Sequence, residues 1–195
     1  MKLFDITRTL QDAPLYPGSA PAILRRLSDA AKGESCTVTL ITADSHLGTH
    51  ADAPCHFLPG GLSIDRMPVE CYCGPCRVVS VPDRELLSVE DLKQLGLDGA
   101  ERLLLHTGGC VFLCEDAAAY LAALPGLRLV GTDALSVGPA DDEAPIHKAL
   151  LGAGIAIVEN LILDGVPDGD YILFAPPAKY GGCDGAPVRA ILLHE

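Results

Sequence analysis

The residues that could do chemistry are concentrated in one stretch, SHLGTHADAPCHF, at positions 45–57. Its reactive side chains are His46, His50, Asp52 and His56, so three of the six histidines of the chain lie here. Imidazole nitrogens and a carboxylate are ligands that suit Zn²⁺, Mn²⁺ or Fe²⁺. The stretch could be a loose polar loop, a structural metal clip or a catalytic centre, and these alternatives stay open at this point.

The spacing of the first two histidines does not predict a helix. His46 and His50 are four residues apart, as in the H-E-x-x-H zinc motif, but Leu47 stands where that motif has its general-base glutamate. Gly48 lies between the histidines and Pro54 follows them, and both residue types oppose a regular helix. We therefore expect an ordered loop at the end of the preceding strand, where α/β sheets commonly place their sites.

Two residues far along the chain could complete a metal site. His147 lies on a short predicted helix, and Glu159 ends the apolar strand IAIVE. An acid at the end of a buried strand is costly unless it is paired or bound to a metal. Carboxylates can bridge two metal ions about 3.5–4 Å apart in two-metal hydrolases. These residues are therefore the natural partners of the first stretch if a second ion is bound.

Short apolar runs bounded by turn residues predict the strands that must position these side chains. The predicted strands are CTVTLITAD, CRVVSV, RLLLHT, LRLVGTD, IAIVEN and YILFAPP, with AILRRL and VRAILLHE as further candidates. Helices are predicted at VEDLKQLG, which opens with a capping box at Ser88 and Asp91, at CEDAAAYLAALPG, and at APIHKALLGAG with Pro145 near its start. The alternation in the second half predicts an α/β domain with a mixed sheet, preceded by a more β-rich part.

Composition narrows the classes of partner. The chain has 195 residues, 49% of them hydrophobic, so we expect a single domain over residues 1–195 with a full core. Its formal net charge of −12 at pH 7 disfavours nucleic acid and anionic membrane surfaces as partners. No N-terminal signal and no apolar run of about 18 residues is present, so a cytoplasmic protein is expected.

Three of the eight cysteines, Cys71, Cys73 and Cys76, lie close together in CYCGPC. Such thiols could bind zinc, but a closed structural site needs four ligands, and no second pair follows at zinc-ribbon spacing. A chain of this length does not need disulfides to be stable, so reduced thiols are expected. The favoured interpretation is a Gly-Pro turn that carries incidental thiols into the strand CRVVSV.

The stretch HLGTHADAPCH fits H-x-G-T-H-x-D-x-P-x-H, the signature of the metal-dependent "putative cyclase" family, which includes bacterial kynurenine formamidase and isatin hydrolase. All seven fixed positions of the signature are matched. The resemblance extends along most of the chain. DITRTLQDAPLYPG resembles the N-terminal strand and substrate loop of the family, IHKALLGAGIAIVENLIL its second metal segment, and YILFAPPAKYGGCDGAPVRAILL its C-terminal strand pair.

The resemblance implies two divalent metal ions, with Zn²⁺ favoured over Mn²⁺, and five ligands: His46, His50, Asp52, His147 and Glu159. Asp52 would bridge the two ions, and Glu159 would bridge or bind both. His56 would be the acid/base and not a ligand. In the N-terminal loop, Tyr16 occupies the position at which the formamidases carry a substrate-stacking tryptophan, and this chain has no Trp.

The implied fold is a swivelling β/β/α domain with a central mixed sheet, assembled as a homodimer or homotetramer with loops of a neighbouring subunit near the site. The implied activity is that of a metal-dependent amidohydrolase, in which metal-activated water cleaves an arylformamide-like or cyclic amide. Two alternatives stay open. One is an enzyme that opens or closes a lactone or polyketide ring, and the other is a non-catalytic small-molecule-binding member of the same fold.

Two further polar residues receive more ordinary interpretations. Asp184 lies in the Gly-rich segment GGCDGAPVR and is predicted to hold the turn or to pair with Arg189 rather than to act in catalysis. His106, at the end of RLLLHT, could line the pocket or lie in the core or at the surface.

Overall fold

A computed structural model of the protein describes residues 1–194. In this part of the chain the strands are β1 Lys2–Asp5, β2 Ile23–Ser28, β3 Val38–Thr42, β4 His50–Asp52, β5 Cys73–Ser80, β6 Leu86–Leu87, β7 Arg102–His106, β8 Phe112–Leu113, β9 Leu129–Thr132, β10 Ala156–Glu159, β11 Gly169–Phe174, β12 Gly185–Pro187 and β13 Ile191–His194. The α-helices are α1 Val89–Gln94, α2 Glu115–Ala122 and α3 Glu143–Gly152.

Nine strands form one sheet in the order β1-β13-β11-β5-β7-β9-β10-β4-β12. The central strands β5, β7, β9 and β10 run parallel to their neighbours in this group, and the remaining neighbouring pairs are antiparallel. The predicted α/β fold with a central mixed sheet is therefore confirmed. The predicted β-rich first part is also confirmed, because α1, the first α-helix, begins at Val89.

The sheet separates two hydrophobic cores, because successive side chains on a strand point to opposite faces. On β7, Leu104 belongs to one core, whereas Leu103 and Leu105 belong to the other. On β5, Val78 and Val79 divide in the same way. The second core is covered by apolar residues of the three α-helices, including Leu92, Ala117, Leu121, Ile146 and Leu150. Burial on both faces explains why these strands are continuous apolar runs in the sequence.

The helix boundaries follow the predicted signals. The Asp91 backbone N–H donates to Ser88 Oγ at 3.3 Å, and the Ser88 N–H donates to Asp91 Oδ2 at 2.9 Å, so the capping box of α1 is confirmed. Pro145 lies in the first turn of α3, where its missing N–H costs no helical hydrogen bond. None of the helices in residues 1–194 is both long enough and apolar enough to cross a membrane.

Two predicted strands stand apart from the main sheet. β2 and β3 pair only with each other, as an antiparallel hairpin. Both of its faces expose large apolar side chains: Ile23, Leu24, Leu27, Val38, Leu40 and Ile41. An isolated two-stranded hairpin is only marginally stable in water, and clustered apolar side chains of this kind are uncommon on the surface of a monomer.

The segment CYCGPC leads into β5, which begins at Cys73, three residues earlier than predicted. The buried guanidinium of Arg102 donates to the carbonyl oxygens of Cys71 at 2.9 Å and Pro75 at 3.1 Å. Gly74 has φ +132°, and a Cβ there would lie 2.7 Å from Arg102 Nη1. The eight cysteines are free thiols, and within residues 1–194 none belongs to a cluster with metal-binding geometry. The segment is therefore organised around an arginine rather than a metal.

Candidate active site

The prediction of a loop over positions 45–57 was wrong for its central part, since His50–Asp52 form strand β4. Residues two apart on a strand point to the same face, so the side chains of His50 and Asp52 point together and Ala51 faces the core. The strand is only three residues long and has too little apolar periodicity to be recognised. It forms because β10 pairs with it on one side and β12 on the other.

The antiparallel register of β4 and β10 places Glu159 opposite His50. His50 Nε2 lies 3.4 Å from Glu159 Oε2 and 3.4 Å from Asp52 Oδ1. Helix α3 brings His147 to the same point, with Nε2 3.2 Å from Glu159 Oε1 and 3.4 Å from Asp52 Oδ2. All four side chains are at most 5% exposed. We call these four residues the inner cluster.

Backbone carbonyls orient both imidazoles of the inner cluster. His50 Nδ1 donates to the Gly48 carbonyl at 2.8 Å, and His147 Nδ1 donates to the Glu143 carbonyl at 2.9 Å. Because a carbonyl oxygen only accepts, Nδ1 must carry the hydrogen in both rings, and Nε2 is the atom free to ligate a metal. Gly48 has φ +74°, a conformation that glycine adopts without strain.

The electrostatics of the inner cluster favour positive charge. Burial lowers the pKa of His50, but hydrogen bonds to Asp52 and Glu159 outweigh it and raise the pKa to about 10. The same balance raises the pKa of His147 to about 11. Burial opposes ionisation of Asp52 as well, yet the surrounding imidazoles hold its pKa well below the ordinary value. The two carboxylates thus attract cations, and a divalent metal ion would compete with the protons.

The inner cluster also fits a metal ion by the state of its oxygen atoms. Asp52 Oδ2 is buried and accepts no hydrogen bond of good geometry, although His147 Nε2 is 3.4 Å away. Such an orphaned oxygen is costly unless a cation satisfies it. The ligand atoms lie within 4.8 Å of one another in each of two sets of residues. One set is His50, Asp52 and Glu159, and the other is His46, Asp52 and His56. Nitrogen and carboxylate donors of this kind suit Zn²⁺ and Mn²⁺, and Asp52 is common to both sets.

A second group, which we call the outer cluster, consists of His46, His56 and Asp184. His46 Nδ1 lies 2.9 Å from Asp52 Oδ1, and its Nε2 lies 3.1 Å from Asp184 Oδ2. The ring of His56 stacks on that of His46 with centroids 4.0 Å apart. The three side chains are 22%, 29% and 47% exposed. Partial burial lowers the pKa of His56, so its imidazole is neutral near pH 7 and can accept a proton.

The prediction for Asp184 was wrong in its proposed partner. Arg189 donates from Nε to Asp5 Oδ1 at 3.1 Å and does not pair with Asp184. Asp184 instead lies against two histidines of the site, with Oδ2 3.5 Å from His56 Nδ1. The Gly-rich composition of its segment indicates only a turn. Its place follows from β12, which pairs with β4 and sets Gly185 opposite Asp52.

Both clusters border one cavity of about 340 Å³, lined by His46, His50, His56, His147, Glu159, Asp184, Glu143 and Tyr16 among others. The Tyr16 hydroxyl donates to the Ala140 carbonyl at 3.5 Å. Burial and the neighbouring Glu143 raise the pKa of Tyr16 to about 12, so the phenol keeps its proton at neutral pH. His106 lies elsewhere, 3.7 Å from Asp133 and 3.6 Å from Asp164. The structure thus brings the predicted site residues together at one cavity, with Asp52 behind its wall in contact with three of the lining histidines.

The chain is similar to known proteins along most of its length. The chain is 37% identical over 200 residues to the kynurenine formamidase of Bacillus cytotoxicus. The alignment covers 96% of this chain and 95% of that protein. A solved structure described as a potential metal-dependent hydrolase with cyclase activity is 32% identical in sequence and has a TM-score of 0.85. The superposition covers 98% of this chain and 96% of that chain.

Isatin hydrolase A from Labrenzia aggregata, bound to benzyl benzoate, shares the fold with a TM-score of 0.85 at 24% identity, over 100% of this chain and 94% of that chain. The sequence profile of the family described as "Putative cyclase" matches residues 4–139. That range contains the signature stretch and ends before His147 and Glu159. On this match and on the 37% identical relative, the chain belongs to the Putative cyclase family.

Proposed function

We propose that this protein is a metal-dependent amidohydrolase that cleaves a C–N bond other than a peptide bond, in an arylformamide-like substrate or a cyclic amide. The observation that carries the proposal is a connected group of five ligand-type side chains, His46, His50, Asp52, His147 and Glu159, beside a cavity that the half-buried His56 also lines. The named activity of the kynurenine formamidase relative supports an amide as the bond that is cleaved.

The metal ligands that we propose are His46, His50, Asp52, His147 and Glu159, for two divalent ions with Zn²⁺ favoured over Mn²⁺. The geometry of the carboxylates supports two ions rather than one. Asp52 directs Oδ1 toward His46 and His50 and Oδ2 toward His147. Glu159 directs Oε2 toward His50 and Oε1 toward His147. When bound, such ions would polarise an amide carbonyl and lower the pKa of a water molecule toward about 7.

His56 is the proton carrier in this proposal. Its imidazole accepts a proton from the attacking water as the new C–O bond forms at the carbonyl carbon. It returns that proton to the nitrogen as the C–N bond breaks, so the amine leaves neutral. Tyr16, at the cavity wall, is the proposed aromatic contact for the ring of the substrate. A tyrosine offers a smaller stacking surface than tryptophan, together with a hydroxyl group.

We further propose that residues 1–195 act as one domain that assembles into a homodimer or homotetramer. The two cores share a single sheet, which supports one domain. The exposed apolar residues of the β2–β3 hairpin support assembly, because monomers rarely leave so large an apolar surface in water. Light scattering coupled to size-exclusion chromatography tests this, and a strictly monomeric protein would contradict it.

The function is tested with protein stripped of metal and reloaded with Zn²⁺ or Mn²⁺. The reloaded protein is assayed against N-formylkynurenine, isatin, simple amides and simple lactones. We expect metal-dependent turnover of a formamide or a lactam. Turnover of lactones alone would indicate the ring-opening alternative, and a metal-loaded protein without any turnover would indicate a binding protein. Turnover of N-formylkynurenine would show that Tyr16 suffices where the formamidases have tryptophan.

A further inference from the structure

We propose that Asp184 is a positioning residue that orients two histidines at once, the metal ligand His46 and the proton carrier His56. For its effect on turnover this inference rests on the proposed function. Its effect on metal binding can be measured without any substrate.

The carboxylate of Asp184 faces one ring nitrogen of each of the two stacked imidazoles. Oδ2 is 3.1 Å from His46 Nε2 and 3.5 Å from His56 Nδ1. The other oxygen, Oδ1, accepts a hydrogen bond from Ser45 Oγ at 2.9 Å. One oxygen is therefore held in place while the other faces both imidazoles.

For His46, the contact sets which nitrogen faces the metal site. Its Nδ1 lies on the side of Asp52, so Nε2–H is the group that donates to Asp184. Metal-binding histidines are commonly fixed in this way by a carboxylate on the second ring nitrogen. In the inner cluster, backbone carbonyls of Gly48 and Glu143 do the same for the other two histidine ligands. His46 is thus the ligand whose orientation depends on another side chain.

For His56, the contact determines which nitrogen can carry a proton to and from the substrate. Nδ1 is the nitrogen that faces Asp184, at 3.5 Å, and a hydrogen held there would leave Nε2 as the basic atom. His56 ends a single helical turn, Pro54–His56, and is 29% exposed, with its ring stacked on that of His46. A nearby carboxylate also stabilises the imidazolium that forms when the ring accepts a proton, as in other hydrolases with paired histidine and aspartate.

The backbone anchors Asp184 to the sheet rather than leaving it in a loose turn. The Ala53 N–H donates to the Asp184 carbonyl at 2.8 Å. The next residue, Gly185, begins β12 and pairs with Asp52. A side chain at Gly185 would come 2.8 Å from His46 Cε1, so the chain passes directly beside the ring that Asp184 orients.

The test compares Asp184→Asn and Asp184→Ala with the control Asp65→Asn. Asp65 braces the same turn, since its Oδ1 accepts from the Gly182 N–H at 2.9 Å and from Ser63 Oγ at 2.7 Å. The measurements are kcat and KM with whichever amide the wild type hydrolyses, Zn²⁺ affinity by competition with a chromogenic chelator, and thermal unfolding.

We expect Asp184→Asn to lower kcat by about 10–100-fold and to weaken Zn²⁺ binding, with KM and thermal unfolding retained. Asp184→Ala should lower kcat and Zn²⁺ affinity further than Asp184→Asn does, because the asparagine side chain can still accept a hydrogen bond and alanine cannot. Wild-type kcat and Zn²⁺ affinity in Asp184→Asn would overturn the proposal. The same losses in Asp65→Asn would also overturn it, because the effect would then come from the turn and not from the carboxylate.

A measurement without substrate and a replacement variant allow the proposal to be tested in two cases where the first experiment fails. If the wild-type protein hydrolyses no substrate, the proposed function fails, yet the chelator competition still decides whether Asp184 orients His46. If both Asp184 variants fail to fold, Ser45→Ala takes their place, since it releases the other oxygen of the same carboxylate. A reduced kcat with unchanged KM in Ser45→Ala supports the proposal, and wild-type kcat overturns it.

Discussion

The inner and outer clusters border the same cavity but are built in opposite ways. The inner cluster is almost completely buried, and backbone carbonyls orient its imidazoles. The outer cluster is 22–47% exposed, and its histidines are oriented by a side-chain carboxylate. Two buried carboxylates bind the imidazoles of the inner cluster tightly, whereas solvent reaches those of the outer cluster.

This difference indicates a division of work. A buried group of charges that relies on backbone contacts is suited to holding metal ions at fixed positions. A half-exposed histidine with a lowered pKa is suited to exchanging protons with substrate and water. His46 joins the two clusters, because it contacts Asp52 on one side and Asp184 on the other. Substitutions in the inner cluster should therefore lower metal binding, whereas substitution of His56 in the outer cluster should lower turnover and leave metal binding unchanged.

The largest effect is expected for Asp52→Asn in the inner cluster. A neutral amide cannot bridge two cations, so we expect loss of bound metal and no measurable turnover. In the metal-free protein, removal of one partner from a buried ionic group lowers the free energy of unfolding by about 3–5 kcal/mol. Elemental analysis and urea unfolding measure both effects. An Asp52→Asn protein that still holds two ions would contradict the role given to the inner cluster.

A smaller and more selective effect is expected for His56→Ala in the outer cluster. The inner ligands are untouched, so metal content should stay at the wild-type level. Loss of the acid/base should lower kcat by about 10²–10⁴-fold. Steady-state kinetics of the metal-loaded variant, with elemental analysis of the same sample, check this. Full turnover in this variant would remove His56 from the mechanism.

Gly185→Ala tests how closely the backbone must approach His46. A Cβ at this position would lie 2.8 Å from His46 Cε1 and 3.0 Å from the Ala51 carbonyl oxygen. We expect the ring to be displaced and Zn²⁺ affinity to fall by about tenfold. Gly181→Ala is the matched control, since a Cβ there has nothing within 4 Å. Equal Zn²⁺ affinities in the two variants would show that this approach does not matter.

The smallest effect concerns the pH dependence of stability in the metal-free protein. The raised pKa values of His50 and His147, about 10 and 11, mean that the folded state binds their protons more tightly than the unfolded state. Their contribution is complete below about pH 6.5 and declines as the pH rises toward the folded values. Urea unfolding between about pH 6.5 and pH 9 should therefore show falling stability.

The metal-loaded protein is the control for this experiment. In that form the metal ions have displaced the Nε2 protons of the histidine ligands, so the same decline should be absent. Equal slopes for the two forms would contradict the electrostatic description of the inner cluster. The lowered pKa values of Asp52 and Glu159 act in the other direction, and stability from them is lost only as the pH falls into the acidic range.

Much of the fold could be predicted from the sequence because its signals are local. The apolar runs mark the long strands, and Ser88 with Asp91 marks the start of α1. The signature stretch also identifies the ligand types and the family before any coordinates are known. Gly48 and Pro54 correctly predict that no regular α-helix spans this stretch, and Pro54 begins only a single 3₁₀ turn, because their backbone preferences do not depend on distant residues.

What the tertiary structure alone decided is how these residues meet. Strand β4 exists only because β10 and β12 pair with it from distant parts of the chain. The β4–β10 register alone places Glu159 opposite His50, and the turn before β12 alone brings Asp184 to the outer cluster. The sequence gives the side-chain type at each position, but strand pairing and the burial of charged groups depend on the whole sheet. The sequence therefore determined which groups could do chemistry, and the sheet decided which of them lie together in the buried inner cluster and which lie in the half-exposed outer cluster.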